Sequence, residues 1–592
     1  MTKSEFDLLM YIDNNYKFDH TQRAIARKLN FSIGKTNELL NNFIKNKLIS
    51  IDNDKKYILT KKAYKLLKPY KVDNAIIMAA GMSTRFAPLS YEVPKGLLKV
   101  KGEVLIEREI LQLKEKGIDN IIIVVGYLKE KFYYLEEKYN AKIVVNPDYY
   151  KYNNTSTLMC VINKLKNSYI CSSDNYFVQN PFDKYVYEGY YSANFSKAKS
   201  QEYFLNFNKC GRITKVQIGG GNGWYMIGPA YFDKNFSDRF KKILVSEYAT
   251  DAAKTKLWEN IYKDHVKELP LSIKKYDKGI IYEFDTLKEL QDFDIHYVDN
   301  VNSKILQNIC KFFNCNVKDI NNIKVMKSGL TNNSFVFQLH GKKYVYRHPG
   351  IGTEKYINRK SEAFSMKIAS ENNLDNTFVF MDKKDGYKIS HYISGAKELN
   401  YHAKTDIKKA IALIKKLHAL NIKSKYDFNI WKKTKQFLSI LKKSKVKVDI
   451  KSLFSDISII YGVVSCDNIA KKCLCHNDCY SPNFIIDKKK KMSLIDWEYS
   501  GNDDPASDIG TFISCSNYNI KDALSIVDMY FDNKTTKQQY IHFIGYIAIC
   551  SFYWYVWSLY QEYRGNEVGE WSYLWFKNSV QYVKVFNNML KG

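Results

Sequence analysis

Two clusters of residues in this chain have the types and spacings that phosphorus chemistry requires. In the first, Met78-Ala79-Ala80-Gly81-Met82-Ser83-Thr84-Arg85 is followed ten residues after Arg85 by Lys95. A glycine loop leaving a strand can aim backbone N–H groups at phosphate oxygens, and Gly81 lets a ligand approach closely. Arg85 and Lys95 are placed to neutralise a triphosphate and then the departing pyrophosphate. Such nucleotidyl transfer needs charge stabilisation and in-line positioning more than covalent help. In the second cluster, His476-Asn477-Asp478 is followed by Asn483 and then by Ile495-Asp496-Trp497-Glu498. In phosphoryl transfer an aspartate in the place of Asp478 orients or deprotonates the attacking hydroxyl. Asn483 and Asp496 are then the Mg2+ ligands. One cluster makes a phosphomonoester and the other activates one with a nucleotide, which implies a two-step sequence in one polypeptide.

Several elements must position these residues. Residues 75–79 form a short apolar strand that runs into the glycine loop. Residues 105–116 have helical spacing ended by Gly117, and residues 121–125 and 143–145 are further apolar strands. This alternation predicts a parallel, doubly wound, Rossmann-like sheet with its ligand at the strand C-termini. Residues 335–339 and 343–347 predict a β-hairpin around Gly341. Helices dominate from Asn358 onward, interrupted by a strand at 492–497. A small β-rich lobe before a larger helical lobe is a bilobal, protein-kinase-like plan. Ahead of both, Thr21 caps a helix reaching Leu29, Gly34 marks a turn, and residues 35–47 form a second amphipathic helix. Residues 49–59 alternate around an Asn-Asp turn like a β-wing. The predicted class is multidomain α/β and α+β, with domains at 1–70, 72–298 and 303–592.

A chain of 592 residues exceeds one hydrophobic core. Its hydrophobic content of 45% and aromatic content of 15% exclude a largely disordered protein. The net charge of +29 fits nucleic acid, an anionic membrane or phosphorylated ligands. It equally fits a lysine-rich composition in which pairs such as Lys408-Lys409 and Lys415-Lys416 are solvated helix faces. The 11 cysteines have no disulfide-framework spacing. Cys473, Cys475 and Cys479 cluster without a paired CxxC and read as reduced thiols beside a buried strand, a metal site being the other reading. The N-terminus has no signal-peptide apolar block. Residues 543–560 are uncharged and reach the length of a short membrane span. Their Tyr, Trp, Ser and Gly content predicts a buried aromatic helix instead. The expectation is a cytoplasmic protein with no stable membrane insertion.

With AAGMSTRFAPLSYEVPKGLL, LIEREI and GYLKE at fitting distances, residues from about 73 to 295 resemble the sugar-phosphate nucleotidyltransferase superfamily. They look most like the bacterial CTP:phosphocholine cytidylyltransferases. The resemblance implies that Gly81, Arg85 and Lys95 contact the phosphates of CTP and that Asn153, Asn154 and Ser156 lie near the nucleotide. It also implies that Asp174 and Asp285 hold Mg2+. Two departures stand out: Ser83 occupies the place of a second loop glycine, and Ser172 that of an acidic residue before the metal aspartate. Phosphocholine needs an aromatic cage with carboxylates nearby, for which Tyr203, Tyr282, Trp258 and Glu259 are candidates.

Residues from about 303 to 590 resemble the choline/ethanolamine kinase and aminoglycoside phosphotransferase superfamily, most closely the bacterial choline kinases. Ser328-Gly329-Leu330-Thr331-Asn332-Asn333 looks like their ATP loop. Arg347 stands where protein kinases carry a lysine, Glu362 is its implied ion-pair partner, and Asp508 steadies the catalytic loop. Trp554 and Trp557, three apart on one helix face, match the tryptophan pair of the choline pocket, with Tyr573 as a further cage residue. A cage tyrosine of animal choline kinases is absent from the 502–504 turn. Residues 1–70 resemble winged helix-turn-helix domains, which implies DNA as a partner, a packing module being the other reading. Together these imply ATP-dependent phosphorylation of choline, then cytidylyl transfer from CTP to phosphocholine. The alternatives are ethanolamine or another amino alcohol, or a DNA-binding regulator that senses choline metabolites.

Overall fold

The computed structural model describes residues 1–14, 21–294, 303–326, 332–350, 353, 356–442, 450–564 and 568–591. These form two compact units, Met1–Val317 and Lys318–Gly592.

The first unit opens with helices Lys3–Asn14, Gln22–Leu29 and Ile33–Lys45, a hairpin of Ile49–Ile51 with Tyr57–Leu59, and helix Lys61–Leu67. Thr21, Ser32 and Thr60 cap three of these helices, each hydroxyl accepting the backbone N–H three residues on. Gly34 does not form the expected turn. Ser32 starts the helix earlier, so Gly34 lies within its first turn. Phe6, Leu9, Leu40, Phe43 and Leu59 build the core of this segment, and Tyr185 from further along the chain closes it.

Next comes a nine-stranded mixed sheet, running Ile213–Gly220, Ser200–Phe207, Gly223–Phe232, Ser168–Ser172, Asn74–Ala79, Ile121–Val125 and Lys142–Val145. Tyr190–Ser196 is added beside Gly223–Phe232, and Ser272–Lys275 pairs in parallel with Tyr190–Ser196. Asn74–Ala79 pairs in parallel with both Ile121–Val125 and Ser168–Ser172. Helix Leu105–Glu115 lies between the first two of these strands in sequence, and the apolar runs are buried on both faces. From Ser168–Ser172 onward the sheet continues antiparallel through Gly223–Phe232. The parallel half is the doubly wound part read from the sequence. The antiparallel half escaped that reading because strands such as Ser200–Phe207 are polar and half exposed. Helix Lys304–Phe313 ends this unit with Ile305, Leu306 and Ile309 buried. The residue pattern places this helix instead in the domain at 303–592.

The second unit begins with an antiparallel sheet ordered Asn321–Val325, Asn332–Leu339, Lys342–Pro349, Lys388–His391 and Phe378–Met381. The predicted hairpin is present, with Gln338 opposite Lys343 and Gly341 at φ 77° in the turn. Helix Arg359–Glu371 comes after the hairpin. Helices Lys404–Ala419, Ile430–Lys442, Lys451–Val464, Ala506–Ser514, Ile520–Tyr530, Lys537–Tyr563 and Glu570–Lys591 make up the larger part. Helix Lys537–Tyr563 is long and apolar enough to cross a membrane, but 89% of its most apolar window is buried inside the fold. Three short strand pairs among these helices hold the loops that carry His476, Asp478 and Asp496.

Candidate active sites

In the first unit, the parallel strands end at a cavity of about 500 Å³ lined by Gly81, Ser83, Arg85, Lys95, Asn153, Asn154 and Asp174. Ser83 adopts φ 47° and ψ 46°, the left-handed conformation glycine favours, so the loop keeps a glycine-like turn with a side chain on it. Lys95 is buried and its Nζ lies 2.6 Å from Asp174 Oδ2. Burial pushes the Asp174 carboxyl up, but the Lys95 charge and hydrogen bond outweigh it and hold it below the ordinary range. Arg85 pairs with Asp285 at 3.0 Å, and Lys95 Nζ reaches the same carboxylate at 3.9 Å. Both carboxylates and both cations therefore share one cluster, although Asp174 and Asp285 are 111 positions apart in the chain. Asp174 Oδ1 is buried and accepts no hydrogen bond, which fits an oxygen aimed at a cation.

The remaining sequence-selected residues divide. Asn153 caps helix Asn154–Met159. Asn154 holds helix Trp258–Asp264 in place, accepting the Trp258 N–H at 2.6 Å and donating to Glu259 at 3.2 Å. Ser156 is turned away from the cavity, accepting from Asn146 at 2.9 Å and donating to the Asn153 carbonyl at 2.7 Å. Trp258 is not a cage wall. It is 1% exposed and packed in the core against Tyr191, Phe232 and Phe240. Tyr282 packs on Phe293 and Phe284. Tyr203 is half-buried close to Glu259. Glu259 accepts from Tyr191 Oη at 3.3 Å as well as from Asn154. Desolvation raises its carboxyl to about 7. Tyr191 had no sequence signal, because it is one tyrosine among 47.

In the second unit, the catalytic-loop cluster is held by a buried hydrogen-bond frame. Asp508 accepts the backbone N–H groups of His476 at 2.9 Å and Asn477 at 2.6 Å, and His418 Nε2 lies at 2.9 Å. Burial opposes the Asp508 charge, but these donors hold its carboxyl below the ordinary range. His476 donates from Nε2 to the Ile495 carbonyl at 3.0 Å, and burial keeps the ring neutral. Asn477 at φ 63° and Asp496 at φ 65° occupy the left-handed region that Asn and Asp tolerate best among non-glycine residues. Asn483 donates to Asp478 Oδ2 at 2.8 Å. Burial, then the charges of Asp496 and Glu498, push the Asp478 carboxyl well up.

Arg347 is buried between carboxylates, hydrogen-bonded to Glu362 and to Asp496 at 2.7 Å, with Glu498 at 3.8 Å. Two cations that sequence reasoning missed complete this network: Arg359 bonds Glu362 at 2.9 Å, and Lys388 reaches Asp496 at 3.4 Å. Asn332 donates to Glu498 at 2.9 Å. Ser328 lies outside the described residues.

A cavity of about 250 Å³ connects this charge to aromatic walls. It is lined by Asp478, Asp496, Glu498, Tyr499, Trp554, Trp557, Trp571 and Trp575. The Trp554 and Trp557 rings are 5.5 Å apart and steeply tilted, and Trp575 lies 5.9 Å from Trp554. The expectation at Tyr573 is corrected, since its side chain is 70% exposed and outside the cavity. Trp571 and Trp575 face inward because residues four apart share a helix face, while one two positions away points elsewhere. That spacing was the available signal for both.

The Choline/ethanolamine kinase family model matches residues 323–548, and the MobA-like NTP transferase domain model matches residues 75–193. A choline-phosphate cytidylyltransferase of Streptococcus pneumoniae is 34% identical over 220 residues, covering 37% of this chain and 96% of that protein. A 2-aminoethylphosphonate cytidylyltransferase of Lancefieldella rimae is 33% identical over 234 residues, covering 38% of this chain and 93% of that protein. Protein LicA of Haemophilus influenzae is 24% identical over 256 residues, covering 41% of this chain and 94% of that protein. By the first two matches the chain belongs to the cytidylyltransferases of the MobA-like NTP transferase family, and it carries a choline/ethanolamine kinase domain on the same polypeptide.

Proposed function

We propose that the second unit transfers the γ-phosphate of ATP to choline and that the first unit joins the resulting phosphocholine to CTP, giving CDP-choline and pyrophosphate. The observation that carries this reading is the cavity that sets Asp478 against four tryptophans. A quaternary ammonium has no N–H to donate and is recognised by aromatic faces. Its hydroxyl, directed at Asp478, is the nucleophile, and the carboxylate orients it and takes its proton. Arg347 is held by Glu362 on one side and bridges to Asp496 on the other, which fixes the charge that meets the nucleotide. Asp496, which lines this cavity, and Asn483, bonded to Asp478, offer hard oxygens here, and Asp174 with Asp285 does so in the first unit. These donor sets fit Mg2+, which would supply charge neutralisation at the phosphates when bound. Lys95 and Arg85 provide the fixed positive charge for the α-phosphate and the departing pyrophosphate.

The Lancefieldella relative favours a second reading, in which the first unit accepts an aminophosphonate. The kinase domain argues against it as the main role, because phosphorylating an alcohol makes a C–O–P linkage and never a C–P bond. Ethanolamine remains the alternative alcohol. We read CDP-choline as a donor for phosphocholine decoration of surface glycans. Residues 1–70 are a winged-helix module with DNA as a candidate partner. The helix Ile33–Lys45 exposes Asn37, Glu38, Asn41, Asn42 and Lys45, and a gel shift against the protein's own promoter tests that role. The function itself is tested by incubating the protein with choline, ATP, CTP and Mg2+ and following products by ³¹P NMR. Phosphocholine followed by CDP-choline and pyrophosphate is the expected course, and no turnover of choline defeats the reading.

A further inference from the structure

Cys473 and Cys475 take no part in the phosphotransfer chemistry, yet both face a histidine. They alternate along the strand Cys473–Cys475, so both side chains leave the same face of it. His418 of helix Lys404–Ala419 lies on that face, and the two sulfurs and an imidazole nitrogen all lie within 4.8 Å of one another. All three side chains are buried.

The hydrogen bonds assign the histidine tautomer. The Asp508 carboxylate takes the Nε2 proton of His418 at 2.9 Å, so Nδ1 keeps its lone pair and accepts from Tyr530 Oη at 2.8 Å. A carboxylate fixing one nitrogen so that the other is a free donor is the arrangement found behind metal-ligating histidines. Tyr530 is near both thiols, whose charges rank next after burial among the causes that raise its phenol. A cavity of about 460 Å³, lined in part by His418, Cys473 and Tyr530, opens onto the cluster.

We propose that His418 Nδ1, Cys473 Sγ and Cys475 Sγ form a binding site for Zn2+, with a water from the adjoining cavity as the fourth donor. Two thiolates and an imidazole suit a borderline-soft ion at tetrahedral geometry and disfavour Mg2+, which separates this site from the oxygen donors around Asp478. On binding, two S–H protons leave to solvent, two Zn–S bonds and one Zn–N bond form, and the hydrogen bonds that Cys475 Sγ donates to the Cys473 and Asp503 carbonyls at 3.5 Å break with that from Tyr530 to Nδ1. No electron is transferred. Asp508 also holds the His476 and Asn477 N–H groups, so the ion shares its supporting carboxylate with the catalytic loop.

The test uses the full-length chain, purified reduced and metal-free, and Zn2+ alone as the probe. The unmodified chain is expected to retain zinc in a one-to-one ratio through gel filtration, measured by elemental analysis. Cys473→Ser/Cys475→Ser should retain none while still phosphorylating choline, which shows that it is folded. Co2+ loading should give the near-ultraviolet charge-transfer band of thiolate ligation in the unmodified chain. Zinc retention unchanged in the double variant, or a cobalt spectrum without that band, overturns the site. The cobalt measurement needs no substitution, so absence of the band overturns the site even where the double variant does not fold.

Discussion

Glu259 is hydrogen-bonded by the Asn154 amide and the Tyr191 hydroxyl, and desolvation moves its carboxyl to about 7. Above that value it is charged and can attract a trimethylammonium group; below it the site is neutral. The expected outcome is that kcat/KM for phosphocholine falls as pH is lowered through neutrality, mainly through KM. Glu259→Gln should give a low, flat profile, measured by pyrophosphate release across pH. A profile unchanged by the substitution removes Glu259 from the substrate site. In the other unit, Trp554 and Trp557 line the same cavity as Asp478. Replacing either by Leu keeps an apolar wall but removes the ring quadrupole. The loss is about 2 kcal/mol, or about 30-fold in choline KM, with ATP KM unchanged. The motifs that carry Asp478 and Lys95 were legible because their spacing is local. Lys388 was not, because its partner Asp496 is over a hundred positions away, and Arg359, bonded locally to Glu362, joins the site only through Glu498 across a similar span.

At the scale of elements, the apolar strands 74–79 and 121–125 declared themselves by continuous hydrophobic runs, and the hairpin around Gly341 by alternation. The helix Glu570–Lys591 was harder to read. Its tryptophans at 571 and 575 serve a cavity while Trp575 also packs in the core, and composition alone does not separate the two roles. Helix Lys304–Phe313 shows the same difficulty in another form. Its start is capped by Ser303, whose hydroxyl donates to Glu92 at 2.5 Å, and Glu92 also accepts the Ile305 N–H at 3.2 Å. Glu92 stands three residues before Lys95 in the same loop. A helix beyond the sheet domain is thus tied to the loop that bears Lys95. Ser303→Ala removes the cap, a loss of about 1 kcal/mol, and leaves Glu92 held by backbone N–H groups alone. Cytidylyl transfer is expected to slow while choline phosphorylation by the same chain is unchanged. Ser303→Thr, which keeps the hydroxyl, should restore the rate. Equal slowing of both activities would mean general destabilisation instead.

At the scale of the whole molecule, the two chemistries are joined by one small product, and each unit contains its own cluster of charged residues. Sequence could pair the two reactions because their motifs name complementary steps. It could not say whether the intermediate passes through solvent, since that depends on kinetics and not on residue types. Two variants separate the steps. Asp478→Asn should lower choline phosphorylation by roughly 10²–10⁴-fold, the range for loss of a general base, yet still convert supplied phosphocholine. Lys95→Ala should accumulate phosphocholine and make no CDP-choline. If the intermediate is released, an equimolar mixture of the two variants makes CDP-choline from choline after a lag. That lag shortens as the Lys95→Ala chain is increased, because this chain supplies the phosphocholine that the other consumes. A mixture that stays inactive, with each variant keeping its remaining activity, would show that phosphocholine does not leave the chain that made it.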